Sequence, residues 1–234
     1  MKILGIDSSA KSASVAVIEN GKVISNFYIN TGLTHSQTLM PMLENVLNCA
    51  NVAADEIDLI AVNKGPGSFT GIRIGVAAAK GLADTKGIMT CGISTLESMA
   101  YNLVGSDCTV AAVMDARCSQ VYTALFKVSD GQIERLTDDS AMAISELSEL
   151  LSTYDDVVLV GDGADLCYKT MSVVLPKIKI SAESQKYQNA VGVCLAAENK
   201  SDEDYTEGKN LVPEYLRLPQ AERELKNKLK KVSD

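Results

Sequence analysis

A chain of 234 residues with 46% hydrophobic and 22% charged residues can bury a substantial core, as one large domain or two lobes of roughly 100 residues each, and this excludes global disorder. Its longest apolar runs, such as Ile57 to Val62 and Val157 to Val160, fall far short of the ~20 residues that cross a bilayer. A net charge of −8 opposes the phosphate backbone, whose affinity for proteins comes mainly from Lys and Arg, so stand-alone nucleic-acid binding is disfavoured.

The first predicted element is a short strand, Ile3 to Ile6, ending in Asp7. A polar turn leads to a second strand, Ser14 to Ile18, and Asn20-Gly21 marks a two-residue hairpin into Lys22 to Ile29. These make three antiparallel strands. Leu39, Leu43, Val46, Leu47 and Ala50 then recur at helical spacing over 36–50, with Pro41 placing the helix start near 36–38 or kinking it. A strand over Asp58 to Val62, a helix capped by Thr70 or Ser68 and running to about Asp84, and a short strand from Met89 to Gly92 complete the first half.

The second half repeats this order. Val110 to Met114 ends in Asp115, Gln120 to Val128 alternates, and Asp130-Gly131 makes another hairpin into Gln132 to Leu136. A helix over 144–152 and a strand over Asp156 to Gly161 follow. The chain therefore divides into an α/β pair of β-β-β-α-β-α lobes, 1–105 and 106–213, whose strand-end aspartates, Asp7 and Asp115, face one cleft. From Pro213 onward, Leu218, Leu225 and Leu229 read as a terminal helix over 214–234 that packs back on the first lobe.

Arg217 to Lys231 carries six basic residues against Glu222 and Glu224, whereas residues 1–216 hold 16 basic and 27 acidic side chains, or −11. A basic tail can touch RNA or an acidic partner, but alternating charges on a terminal helix more often make a solvated face. The six cysteines, at 49, 91, 108, 118, 167 and 194, have no C-x-x-C spacing, which excludes a zinc ribbon or redox pair, and most of them read as small buried thiols. With a start that runs straight into a strand pattern, they indicate a reducing, cytoplasmic compartment. His35, the one histidine, reads as a capping or surface residue at a helix start.

The sharpest local feature is Gly65-Pro66-Gly67-Ser68-Phe69-Thr70-Gly71-Ile72-Arg73-Ile74-Gly75. It lacks the G-K-[ST] ending of a Walker loop, the spacing of a dinucleotide fingerprint and the G-x-S-x-G of a nucleophile elbow, so a structural tight turn is favoured over an anion cradle. The helix that it opens carries Gly71, Gly75 and Ala79 four residues apart. Glycines inside a helix cost roughly 1 kcal/mol each against alanine, which signals close packing against either the 36–50 helix or a helix of another subunit. Met40, Met42 and Cys49 widen the apolar arc of 36–50, as adaptable interfaces and second core contacts both do.

The duplicated unit resembles the actin, Hsp70 and sugar-kinase (ASKHA) fold. More closely, Ile6-Asp7-Ser8-Ser9, His35-Ser36-Gln37, Gly65 to Gly75, Ala79 to Ala83, Gly92 to Glu97, Met114 to Arg117 and Pro213-Glu214-Tyr215-Leu216-Arg217 resemble the TsaB (YeaZ) family. That family is the non-catalytic subunit of the bacterial machinery for threonylcarbamoyladenosine in tRNA. The resemblance implies a partner of TsaD that acts with TsaE, touches tRNA only within the complex, and forms a homodimer without TsaD. The implied docking face is Leu39, Met40, Met42, Leu43, Val46, Gly71, Ile72, Gly75 and Ala79, where Gly75→Leu is expected to weaken docking without disturbing the fold.

TsaD-type proteins carry a metal-binding His-x-x-x-His on the helix where this chain has Thr95 and Met99. Neither side chain replaces an imidazole, so catalytic and metal residues are expected to be absent. Superfamily kinases use glycine-bearing phosphate loops, where this chain has Asp7-Ser8-Ser9 and Asp115-Ala116-Arg117. Asp7, Ser8, Ser9, Asp115, Gly161 and Gly163 remain nucleotide-binding candidates for weak or partner-dependent ATP or ADP, with no resident cofactor. The competing readings are a metallopeptidase of the glycoprotease type and a small-molecule kinase or ATPase.

Overall fold

A computed structural model describes residues 1–217. The opening strands form as expected: β1 (Lys2–Asp7), β2 (Ala13–Glu19) and β3 (Lys22–Ile29) are consecutively antiparallel. Asn20 and Gly21 both take positive φ, 50° and 75°, which sets the twist a two-residue hairpin needs. Helix α1 (His35–Ala50) runs through Pro41 and ends on left-handed Asn51, and β4 (Leu59–Gly65) then pairs parallel with β1.

Of the two cap candidates, it is Ser68 rather than Thr70 that caps helix α2 (Phe69–Lys86): the Ser68 hydroxyl accepts the Gly71 N–H and so satisfies one of the orphan donors of the first turn. Strand β5 (Met89–Ser94) and helix α3 (Thr95–Ala100) complete this half.

The second lobe repeats the order with one change. Strand β6 (Cys108–Asp115) pairs with β7 (Gln120–Ser129), and the single third strand of the first lobe is replaced by two short ones, β8 (Gln132–Arg135) and β9 (Ser140–Ala143), laid end to end along β7. Helix α4 (Ile144–Leu151), β10 (Val157–Val160), α5 (Ala164–Met171), β11 (Lys179–Ile180) and α6 (Glu183–Lys186) follow.

The expected division at 213 is corrected by what comes next. Helix α7 (Ala190–Glu198) packs on β1 and β2, and β12 (Tyr205–Glu207) joins β5 antiparallel. The first sheet is therefore β12-β5-β4-β1-β2-β3 and the second β11-β10-β6-β7-β8 with β9, and the chain leaves the second lobe before α7. Residues 213–217 are neither helix nor strand, and the rest of the helix expected over 214–234 lies outside the described residues.

Five layers result. α1 and α2 cover the outer face of the first sheet and α4 and α5 that of the second, while α7 and α3 lie between the sheets. Leu96, Met99 and Ala100 of α3 are core residues of the second lobe, against Val110, Ala112 and Phe126, so the two halves share packed interior. α7 is apolar on all sides because it touches both the sheet and α3. It comes so close to β1 that a Cβ on Gly5 would overlap the Cys194 sulfur. Among the described residues no helix is long and apolar enough to cross a membrane.

Candidate functional site

Between the lobes lies a cleft of about 620 Å³ lined by Ser9 to Lys11, Pro66 to Thr70, Met114 to Arg117, Asp162 and Glu214 to Arg217. Its first-lobe wall is two turns packed on each other. Ser68 N–H donates to the Ser9 carbonyl at 2.7 Å, Ser8 Oγ donates to the Gly71 carbonyl at 2.8 Å, and a Cβ on Gly71 would overlap the Ser8 carbonyl oxygen. His35 ties the same loop down, Nε2 lying 2.7 Å from the Ala10 carbonyl; it is a half-buried anchor, not a surface cap. The glycine-rich turn is thus consumed in holding the β1–β2 loop.

The nucleotide candidates separate accordingly. Asp7, Ser8 and Ser9 are buried, and Asp7 Oδ1 accepts both the Ser9 N–H at 2.9 Å and the Ser9 hydroxyl at 2.6 Å. Burial holds the Asp7 carboxyl above its usual range, the Ser9 bonds opposing it; its Oδ2 and both side-chain polar atoms of Asn63 are without hydrogen bonds. Asp115 is exposed at the cleft, where its Oδ1 accepts the Arg117 N–H at 2.7 Å. The expectation that Asp7 and Asp115 face each other across the cleft is therefore corrected: Asp7 is sealed behind Ser9. Gly161, with φ +105°, would overlap the Val113 carbonyl if it carried a Cβ, and the Gly163 N–H donates to the same carbonyl at 3.2 Å. Both glycines serve strand-to-turn packing. Asp162 lines the cleft, and its carboxyl is raised by burial despite a 3.2 Å bond from Gln188 Nε2.

The helical face expected to dock a partner is largely interior. Leu39, Met42, Leu43, Val46, Ile72 and Ala79 belong to the first-lobe core, and Gly71 and Gly75 are buried. The Gly71/Gly75/Ala79 stripe packs on its own lobe, neither on a second subunit nor chiefly on α1: a Cβ on Gly75 would overlap Ser8 Oγ. Gly75→Leu would therefore disrupt the fold. Of the nine residues only Met40 is exposed, at 61%. Around it α1 presents Pro41, Glu44, Asn45, Asn48 and Cys49 to solvent, and α2 presents Thr70, Arg73, Ala77 and Gly81.

Two further clusters were not predicted. On one side Ser94 Oγ donates to Asp139 Oδ2 at 2.5 Å, Arg135 bridges Asp139 (2.6 Å) and Glu97 (3.1 Å), and Lys200 reaches Glu97 at 2.8 Å. This ties α3 to β8 and to the segment after α7. On the other side, residues 213–217 cross the cleft. Glu214 N–H donates to the Lys64 carbonyl at 2.7 Å, with an ion pair between their side chains at 3.0 Å. The Tyr215 ring stacks on Phe69 at 4.7 Å, and its hydroxyl accepts from Arg73 Nε at 2.8 Å. Arg217 Nη1 then donates to the Ala116 carbonyl of the second lobe at 3.0 Å. That carbonyl opens a turn in which Arg117, Cys118 and Ser119 take φ of 65°, 54° and 56°, a left-handed run costing non-glycine residues about 1–2 kcal/mol each. Only the recurrence of Pro213 to Arg217 in the family pattern hinted at this crossing, since its contacts join residues far apart in sequence.

Thr95 and Met99 of α3 are fully buried, and no cluster of metal-ligating side chains occurs among the described residues.

The family model for TsaD, described as tRNA N6-adenosine threonylcarbamoyltransferase, matches residues 30–225. The tRNA threonylcarbamoyladenosine biosynthesis protein TsaB of Bacillus subtilis (strain 168) is 33% identical over 224 residues, covering 95% of this chain and 96% of the relative. TsaB of Escherichia coli (strain K12) is 35% identical over 135 residues, 57% of this chain and 58% of the relative. Among solved structures, YeaZ from Pseudomonas aeruginosa superimposes with a TM-score of 0.75 at 25% identity, covering 92% of this chain and 99% of that one. A hexokinase of the ROK type from Thermus thermophilus, at TM-score 0.50 and 13% identity over 86% of this chain and all of that one, shares the fold alone.

Proposed function

The chain belongs to the TsaB family of tRNA threonylcarbamoyladenosine biosynthesis proteins, and from that membership we propose that it is a non-catalytic partner of TsaD. In this reading it binds and activates TsaD, together with TsaE, in forming N6-threonylcarbamoyladenosine at position 37 of tRNAs, and it meets tRNA only within that complex. Without TsaD the same face pairs with a second copy, and the protein works in the cytoplasm. Nucleotide in the cleft is weak or depends on a partner.

The observation that carries the non-catalytic reading is α3. At the two positions where the TsaD resemblance calls for metal-binding imidazoles, Thr95 and Met99 are fully buried, Met99 in the core beneath the second sheet. Neither a threonine hydroxyl nor a methionine thioether replaces an imidazole as a ligand for zinc or iron, and both side chains are buried away from solvent.

Docking is assigned to the solvent faces of α1 and α2. Met40 supplies an exposed, adaptable apolar side chain, and Ala77 and Gly81 leave α2 low enough for another helix to approach. Titration of purified TsaD with the purified chain tests this: Met40→Glu and Ala77→Arg are expected to weaken binding at least tenfold with the fold intact. Unchanged affinity in both variants counts against this face, and stoichiometric zinc or iron with transfer activity in the chain alone counts against the non-catalytic role.

A further inference from the structure

The crossing segment 213–217 touches the C-terminal end of β4, the first turn of α2 and the turn after β6. On the first lobe it is held by the Glu214–Lys64 backbone bond and by Tyr215, whose ring lies on Phe69 while Arg73 lies 4.0 Å from the other ring and bonds the Tyr215 hydroxyl. On the second lobe it is held by Arg217 on the Ala116 carbonyl. These contacts are polar or aromatic and partly exposed, the kind that open locally without global unfolding.

The turn at its far end is the strained one. Three successive non-glycine residues in the left-handed region persist only where their surroundings over-determine them. Within the second lobe the turn is held by the Asp115 carboxylate on the Arg117 N–H, the Ala116 N–H on the Gln120 carbonyl, the Gln120 N–H on the Arg117 carbonyl and the Ile144 N–H on the Ser119 carbonyl. From outside that lobe comes the Arg217 guanidinium on the Ala116 carbonyl, a bond from the crossing segment that, through Tyr215, depends on Arg73, a residue on the exposed face of α2.

We propose that residues 213–217 form a releasable latch: clamped on α2 through Tyr215 and on the second lobe through Arg217, they hold the Ala116–Ser119 turn in its left-handed form, and freeing Tyr215 from Arg73 lets that turn relax and the cleft open. This coupling is a property of the free chain and does not depend on what docks on α1 and α2. It joins a residue of the outer helical layer to a turn in the other lobe through one side-chain bond, one ring pair and two residues of chain.

Hydrogen exchange on the full-length chain tests it, comparing wild type with Arg73→Ala, Tyr215→Phe and Arg217→Ala. The latch predicts that all three raise amide exchange across 115–121 by about tenfold, the loss expected for a hydrogen bond from a charged donor, while 59–65 and 157–160 keep wild-type protection. Tyr215→Phe keeps the ring and removes only the hydroxyl, so it separates the bond from the packing. Faster exchange at 115–121 in Arg217→Ala alone overturns the coupling, as does wild-type exchange there in all three, or a rise spread evenly over the strands.

Discussion

Gly71 and Ser8 are interlocked: the serine hydroxyl donates to the glycine carbonyl at 2.8 Å, and the space a Cβ would take on the glycine is occupied by the serine carbonyl oxygen. Gly81, ten residues on in the same helix, has nothing within 4 Å of that position. The two glycines therefore respond oppositely to one methyl group. Gly71→Ala should cost about 1–3 kcal/mol through forced backbone movement, whereas Gly81→Ala should stabilise by up to about 1 kcal/mol. Denaturant melts of the two variants decide it; equal effects would mean that α2 is rotated from the orientation described.

Asp7 supplies a pH signature. Burial raises its folded pKa above the unfolded value of 3.8, so the native state binds this proton more tightly than the unfolded chain. Its contribution to stability is fully present below 3.8, is lost as pH rises through the folded pKa, and stays lost above it. Asp7→Asn keeps an oxygen acceptor for the Ser9 bonds and removes the charge. It should melt higher than wild type at pH 7, each unit of pKa elevation being worth about 1.4 kcal/mol, with the difference vanishing toward pH 4. A variant that melts lower at pH 7 would show that the carboxylate is stabilised by its surroundings.

Arg135 serves Glu97 and Asp139 and lies 4.8 Å from the Phe126 ring. Because the two carboxylates retain only 16% side-chain exposure each, Arg135→Ala should cost more than the 0–1 kcal/mol of a surface pair and less than the 3–5 of a fully buried one. About 2 kcal/mol, or roughly 4–8 °C in Tm, is expected in thermal melts. A loss under 0.5 kcal/mol would mean that the network is fully solvated.

Thiol chemistry offers a fourth check. All six cysteines are free, and Cys49 and Cys118 are exposed. Burial pushes Cys91 to about 11 and Cys167 to about 12, and also raises Cys108 and Cys194. Since the thiolate is the nucleophile, a thiol reagent at pH 8 should titrate two groups quickly in the native protein and six after denaturation. Four fast thiols would contradict the described burial.

What the sequence made legible was local. Asn20-Gly21 and Asp130-Gly131 announce hairpins because both positions of such turns need positive φ, and all four residues have it. The strands ending in Asp7 and Asp115 read as apolar runs because neighbours cover both faces. Helix α7 escaped because it is apolar on every side and has no polar stripe to mark a period. The small-residue stripe of α2 was correctly read as a sign of close approach, but spacing alone does not say what approaches, and the answer was a loop sixty residues earlier. Tyr215 and Arg217 escaped because their partners, Phe69, Arg73 and Ala116, are set by tertiary geometry.

The first sheet takes its outermost strand from Tyr205–Glu207 and its inner helical cover from Ala190–Glu198. A ribosome making this chain has therefore released the whole second lobe before it supplies what shields the inner side of Ile3, Ala16 and Ile18. Until then the earliest strands offer a bare greasy surface. The nascent protein thus needs shelter for that surface throughout most of its synthesis, and a stop codon anywhere before about residue 190 would leave it permanently uncovered.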